Sequence, residues 1–327
     1  MTSFSEIITV ILPIFKYKPL LTYKFFDFYY FSSAADIKLN SKTFKEIDLN
    51  SIIKIKEHMK TLNNDRDIKS IHKILNLKIS AQWLLGFVEA EGTFGIKNLT
   101  PYFQIAQHKK SVYTLDLIKQ YLSNLPKVNK ETIYAKIPNT GISINSKTNV
   151  YSYVITDIDI LYDFIMPFFD SLEILSRKFV DFKYWSVVVK LHKLCYFYLP
   201  EGRKITLCIS NYINKNRYSN NVNRVLETPD SNSIDLLFST KPPVDISTGL
   251  NHEELSKLVT RNLGGRSGFL VYIYKQDQII KGSPFKSYGE AQKAIGLNSN
   301  SRAISRNIDT GKLYKNIYLF TSHPLNN

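Results

Sequence analysis

Two carboxylates, Glu89 and Glu91, close the apolar run Trp83-Leu84-Leu85-Gly86-Phe87-Val88 just ahead of Gly92. Ser80 can cap the start of a helix here, its hydroxyl accepting from an otherwise unpaired backbone N–H, and Gly92 is expected to end it in a left-handed turn. Glu91 then sits in the last turn, where the negative end of the helix dipole disfavours an anion by about 0.3–1 kcal/mol. An acid in that place calls for a cation, and a divalent ion with a taste for carboxylate oxygen would supply it. Gly86 and Ala90 lie four apart on one helix face, small enough to let a second helix approach backbone to backbone, so a partner helix is expected.

Leu84 to Gly92 (LLGFVEAEG) resembles the nine-residue signature of the LAGLIDADG homing endonucleases and their maturase relatives. The resemblance implies two such helices packed at a twofold or pseudo-twofold interface, the last acid of each holding a divalent metal beside a scissile DNA phosphate. On this chain Glu91 takes that role, as catalytic residue and as ligand of Mg²⁺ or another divalent metal. The resemblance also implies a base-contacting Gln104, a water-positioning Gln107, and Lys178, with Arg177 beside it, as the basic residue that offsets phosphate charge. Glutamates stand here where many members have aspartates, which keeps the charge and moves it by one methylene.

The elements that position these groups follow from pattern. Thr93 to Lys97 and Tyr102 to Gln107 alternate apolar and polar around Asn98-Leu99-Thr100-Pro101, as a two-stranded ribbon with one buried face does. Phe94, Ile96, Phe103 and Ile105 face the core. Thr93, Lys97, Tyr102, Gln104 and His108 face out, where a ribbon can enter a major groove and read base edges. Ser111 caps a helix from Val112 to Leu122. Strands are expected at Thr132 to Lys136 and Val150 to Ile155, separated by the turn-rich Pro138 to Lys147, and a helix from Asp157 to Phe169. This order resembles the LAGLIDADG core, an α+β fold (αββαββα with a DNA-binding antiparallel sheet).

Ile11 to Phe31 lines up residue for residue on Ile165 to Trp185, with Ile11/Ile165, Pro13/Pro167, Phe15/Phe169, Lys24/Lys178 and Asp27/Asp181 among the identities. That is an internal duplication. The earlier counterpart of Glu91 would fall before Met1, so residues 1–35 read as the tail of an incomplete first repeat, 36–79 as a connection and 80–218 as a complete endonuclease domain. Residues 219–266 read as a linker, because Asn, Ser, Pro and Thr dominate and acids outnumber bases. Residues 267–327 are expected to be a β-hairpin followed by helix, tight turn and helix, the helix-turn-helix pattern. This layout resembles the small nuclease-associated modular domains, and implies DNA contact by Ser299, Asn300, Arg302, Ser305 or Arg306. With 8 Lys and Arg against 3 Asp and Glu from Phe269 on, that region is expected to bind DNA as a separate unit.

The formal net charge of +15 over 327 residues points to a polyanionic partner. No apolar run approaches a membrane span of roughly 18–20 residues, so no membrane partner is expected. Cys195 and Cys208 fit neither a disulfide framework nor a zinc spacing and read as core residues. No phosphate-binding loop, nucleophile elbow or His/Cys cluster is present. Abundant Lys, Asn, Ile, Tyr and Phe, and the lack of an Arg-rich leader, suit an organelle-encoded protein of the mitochondrial matrix. The reading is a double-stranded-DNA endonuclease of the intron-homing kind. The alternative is a maturase that binds group I intron RNA without cleaving. With one motif, the chain is expected to form a homodimer or to need an upstream half-domain for double-strand cleavage. Its Gly86/Ala90 face would lack a partner and expose Leu84, Leu85, Phe87 or Val88.

Overall fold

The computed structural model describes residues 3–41, 48–61, 68–126, 134–138, 141–213, 228–262, 270–298, 301–322 and 324–325. The helices are α1 (Phe4–Glu6, a π-helical Ile7–Ile11, then Leu12–Tyr17), α2 (Lys24–Asn40), α3 (Leu49–Thr61), α4 (Ile68–Ile74), α5 (Ala81–Glu91) and α6 (Val112–Ser123). They continue with α7 (Ile158–Ile160, a π-helical Leu161–Ile165, then Met166–Asp170), α8 (Lys178–Lys193), α9 (Pro200–Tyr212), α10 (Ser231–Ser239), α11 (His252–Asn262), α12 (Tyr288–Ala294) and α13 (Ala303–Asn307). Strands β1 (Gly92–Lys97), β2 (Thr100–His108), β3 (Ile142–Asn145) and β4 (Val150–Ile155) form one sheet in the order β1-β2-β4-β3. Strands β5 (Tyr272–Lys275), β6 (Gln278–Ile279) and β7 (Tyr318–Thr321) form a second, in the order β6-β5-β7. The fold is α+β, with antiparallel pairing of β3 on β4 and of β5 on β6 and β7.

The chain divides into two compact units. The first comprises residues 1–87, 105–123 and 141–153. Its node is the Leu21 carbonyl, which accepts from the Thr114 hydroxyl (2.8 Å) and stands 2.9 Å from His72 Nε2. Burial pushes the His72 imidazole below its usual pKa, so it holds this contact as a neutral ring. The stretch read as a mere connection therefore packs, with Ile68 and His72 buried.

The second unit comprises residues 88–104, 124–140 and 154–327. Phe94 is fully buried at its centre, with ring centroids 5.1–5.5 Å from Phe103, Phe169, Phe182 and Trp185. The Trp185 indole N–H donates to the Tyr102 carbonyl (3.0 Å), which pins α8 to β2. The C-terminal hairpin and helix pair have a core of their own in Val271, Ile273, Ala291, Ile304, Ile308 and Phe320.

α1 and α7 have the same three-part form at matching places in the duplicated segments. Each has a proline two residues beyond the end of its π turn, Pro13 and Pro167. A proline inside a helix lacks the N–H for an i→i−4 bond and crowds the carbonyl four residues back, so the preceding turn widens.

Several expectations are corrected. Gly92 does not take a left-handed conformation. It is the first residue of β1, buried, and a Cβ there would lie 2.6 Å from Val88 Cγ1 and 2.8 Å from the Val88 carbonyl oxygen. Glycine is needed because the chain passes from helix to strand with no loop between. Leu84 and Val88 are fully buried and Leu85 and Phe87 half-buried, so the exposed face of α5 is the one bearing Gly86 and Ala90. The strand expected at Thr132 to Lys136 is absent over Tyr134–Lys136, and Thr132 and Ile133 lie outside the described residues. Its place before β4 is taken by Ile142–Asn145, inside the stretch read as turn-rich, because the tight turn at residues 146–149 folds β3 back onto β4.

The 219–266 stretch is not a plain linker, since it contains α10 and α11. Asp230 caps α10, and Asn251 and Glu254 form a reciprocal capping box for α11. Ile234, Leu237, Leu255 and Val259 are buried, and the His252 N–H donates to Asp159 (2.9 Å), which ties α11 to α7. Cys195 is core, with its thiol pushed up to about 12 by burial, and Cys208 is half-buried; neither forms a disulfide.

Candidate active site

Ser80 caps α5 as its sequence position suggests, accepting from the Trp83 N–H (3.1 Å). At the other end the two acids part company. Glu89 accepts from the backbone N–H groups of Leu175 (2.8 Å) and Ser176 (3.3 Å), just ahead of α8. Glu91 is exposed as the last residue of α5, and among the described residues nothing hydrogen-bonds its carboxylate. Lys178, in the first turn of α8, is half-buried and donates from its ammonium to the Gly92 carbonyl. Burial pushes the Lys178 ammonium below the usual lysine value, against the opposing pull of Asp181, Glu91 and Glu89. The structure thus brings Glu91 and Lys178 together at the α5–β1 junction.

The ribbon has its predicted faces. Phe94, Phe103 and Ile105 are buried, Ile96 is half-buried against the cluster of Val188, Ile209, Ile213 and Ile234, Lys97 is exposed, and Thr93, Tyr102 and Gln104 are half-buried. The Tyr102 ring lies directly over Gly95, where a Cβ would sit 2.3 Å from its Cζ. Gln107 (half-buried) and His108 (exposed) stand on the part of β2 that belongs to the first unit. His108 Nδ1 accepts from the Lys110 N–H (3.3 Å) and so caps the chain after the strand.

At the ribbon tip Asn98 and Leu99 both have positive φ, 52° and 64°, as a two-residue hairpin turn requires. Leucine disfavours that region, by about 1 kcal/mol or more. The turn is held from beneath by His192, whose Nε2 lies 2.9 Å from the Leu99 carbonyl oxygen. Burial pushes the His192 imidazole down to about 3, so it meets that carbonyl as a neutral N–H donor. Arg302 and Arg306 are exposed on the second C-terminal helix, as is Ser305, whereas Ser299 and Asn300 lie outside the described residues. His192 and Arg203, a buried residue of α9, were not singled out by sequence, and the Leu99 turn was read only as a connection between strands.

Residues 84–189 match the sequence profile of the family described as LAGLIDADG endonuclease. The chain carries a LAGLIDADG endonuclease domain. The matched span of this LAGLIDADG domain takes in Glu91, Lys178 and both hairpins of the first sheet, and stops before Arg203 and the C-terminal module. Among curated proteins, the chain is similar to the uncharacterized mitochondrial protein RF1 of Saccharomyces cerevisiae, 28% identical over 97% of this chain and 66% of that protein. It is also similar to the probable intron-encoded endonuclease Cox1-I1b of Schizosaccharomyces pombe, 28% identical over 54% of this chain and 43% of that protein. The chain thus spans 66% and 43% of the lengths of these relatives. Among solved structures, the LAGLIDADG homing endonuclease I-SmaMI bound to cleaved DNA shares the fold, with a TM-score of 0.51 and 21% identity over 66% of this chain and 73% of that one.

Proposed function

We propose that the chain is a metal-dependent DNA endonuclease of the intron-homing type, made in the mitochondrion. The observation that carries this reading is the division between the acids of α5. Glu89 is spent on the approach to α8, whereas Glu91 is exposed at the negative end of its helix beside a half-buried lysine. Among the described residues no group of three or more His, Cys, Asp or Glu could enclose an ion. A single exposed carboxylate suits Mg²⁺, which takes one or two carboxylates and completes its shell with water and phosphate oxygens. When bound there, such an ion would supply positive charge to the phosphate and acidity to water.

The remaining roles belong to the chain. Glu91 would hold the ion, Lys178 would offer a desolvated charge to the developing negative charge on phosphate, and Thr93, Lys97 and Gln104 would face the duplex. Tyr102 keeps its ring on Gly95. The role given to Gln107 rests on the resemblance alone, and that given to His108 on the alternation of the ribbon. Residues 80–218 are proposed as the endonuclease domain and 267–327 as the DNA-binding module.

The test is Glu91→Gln, assayed for binding and for divalent-dependent cleavage on a library of DNA sites. Cleavage is expected to vanish with binding retained, because one charge leaves the metal position and little else changes. Cleavage that survives removes Glu91 from the role, and a wild-type chain that prefers structured intron RNA and cuts no DNA establishes the maturase instead.

A further inference from the structure

Arg203 of α9 reaches into the C-terminal module. Arg203, 5% exposed, donates from Nη2 to the Tyr288 hydroxyl (2.8 Å) at the start of α12, and its Nε lies 3.5 Å from the Asp309 carboxylate, which is itself buried. Asp309 is fixed in turn, its other oxygen accepting from the Ser322 N–H (2.6 Å). A buried guanidinium–carboxylate contact is strongly destabilising to break from one side, because a charge is left without its partner. It therefore acts as a latch rather than a tether.

Beside this latch opens a cavity of about 540 Å³, lined by Asn98 and Leu99 of the ribbon tip, Arg203 and Ser210 of α9, and Arg302 and Arg306 of the second C-terminal helix. Arg302 and Arg306 are exposed, and Asp309, the carboxylate beside them, is already engaged by Arg203. One wall of the cavity is the turn that His192 holds rigid. The cavity is open and carries two exposed arginines, which suits a phosphate-bearing strand.

We propose that this groove is a second seat for the phosphate backbone of duplex DNA, continuous with the ribbon. Arg302 and Arg306 are its phosphate contacts, and Arg203 is the positioning residue that holds them in register with the ribbon tip. The inference rests on the DNA reading above and departs from the expectation of a module binding as a separate unit. Two tethered binders gain only an effective concentration, whereas a latched pair presents one preorganised surface and spends no ordering entropy on binding.

The experiment uses the full chain. Arg302→Ala/Arg306→Ala is expected to lower the slope of log Kd against log salt by about 2, one unit for each lost phosphate contact. Arg203→Met should reproduce that loss with both arginines in place, and should add nothing when combined with the double variant. Small-angle scattering without DNA reads the latch itself: Arg203→Met should expand the particle. Should Arg203→Met fail to fold, Tyr288→Phe/Asp309→Asn cuts the same latch from the module side and is expected to give the same two results. An unchanged slope in Arg302→Ala/Arg306→Ala overturns the seat. An unexpanded particle with an unchanged slope in the latch variants overturns the role of Arg203. A wild-type chain that binds no duplex DNA overturns the DNA reading itself, and the seat with it, while scattering still judges the latch.

Discussion

Gly95→Ala probes the packing of the ribbon's outer face. The new methyl would lie 2.3 Å from Tyr102 Cζ, 2.5 Å from its hydroxyl oxygen and 2.6 Å from Cε1. Ordinary contact begins near 3.4 Å, so the ring must withdraw by about 1 Å, and because these atoms are the far end of a side chain it can do so by swinging out. A half-buried tyrosine gives up roughly 80 Å² in leaving, worth about 2 kcal/mol at 25 cal/mol per Å². Replacing glycine by alanine in a strand returns about 0.5–1 kcal/mol. The net expectation is a loss of about 1 kcal/mol for Gly95→Ala. In a Tyr102→Ala background the same change should instead stabilise by about 0.5–1 kcal/mol, a coupling of about 2 kcal/mol. Chemical denaturation followed by Trp185 fluorescence in a Trp83→Phe chain reads it, since the Trp185 indole bonds the Tyr102 carbonyl. Equal effects of Gly95→Ala in both backgrounds would refute the account.

Glu89→Ala should cost about 2 kcal/mol of stability by leaving the Leu175 and Ser176 N–H groups without their carboxylate, measured by urea denaturation; cleavage lost at unchanged stability would instead make Glu89 a ligand. Lys178→Met should slow cleavage at least tenfold. Because burial depresses the Lys178 pKa, the folded state holds fewer protons than the unfolded one between that lowered value and 10.5, and wild-type stability rises with pH across the interval. Lys178→Met should be flatter across it, and parallel curves would count against a desolvated ammonium. His192→Leu should cost about 1–3 kcal/mol by orphaning the Leu99 carbonyl. With the folded His192 pKa near 3, its contribution is present above pH 6.5 and is lost as pH falls from 6.5 toward 3, so the variant should lose less stability than wild type in that window.

What the sequence made legible was local. The Ser80 cap, the alternation around Phe94 and Phe103, and the hairpin and helix pair after residue 270 each rest on neighbours within one turn or one strand. The β3 strand escaped because Ile142–Asn145 is mostly exposed and so carries no buried face to read. α10 and α11 escaped because a polar composition outweighed their caps, although Asp230 and the Asn251/Glu254 pair were there to be read. Gly92 was placed at the right point for the wrong reason, since nothing in the sequence tells a left-handed cap from a helix that abuts its strand. The Arg203 latch was out of reach, as it joins residues far apart in the chain whose types are unremarked separately. Glu91 and Lys178 were legible as types through the resemblance, and their convergence required the fold.

The π turns of α1 and α7 set the frame of the helix that follows each of them. Each spends an extra residue on one turn, which rotates all that follows by about 100° around the helix axis and decides which side chains reach the core. Losing that residue in one copy alone would shift Phe15 or Phe169 off its face, so the two copies have been kept in the same frame while most of their neighbours diverged. The widened turn and its proline thus act as one unit in each segment, and removing either would change which side chains of that helix face inward.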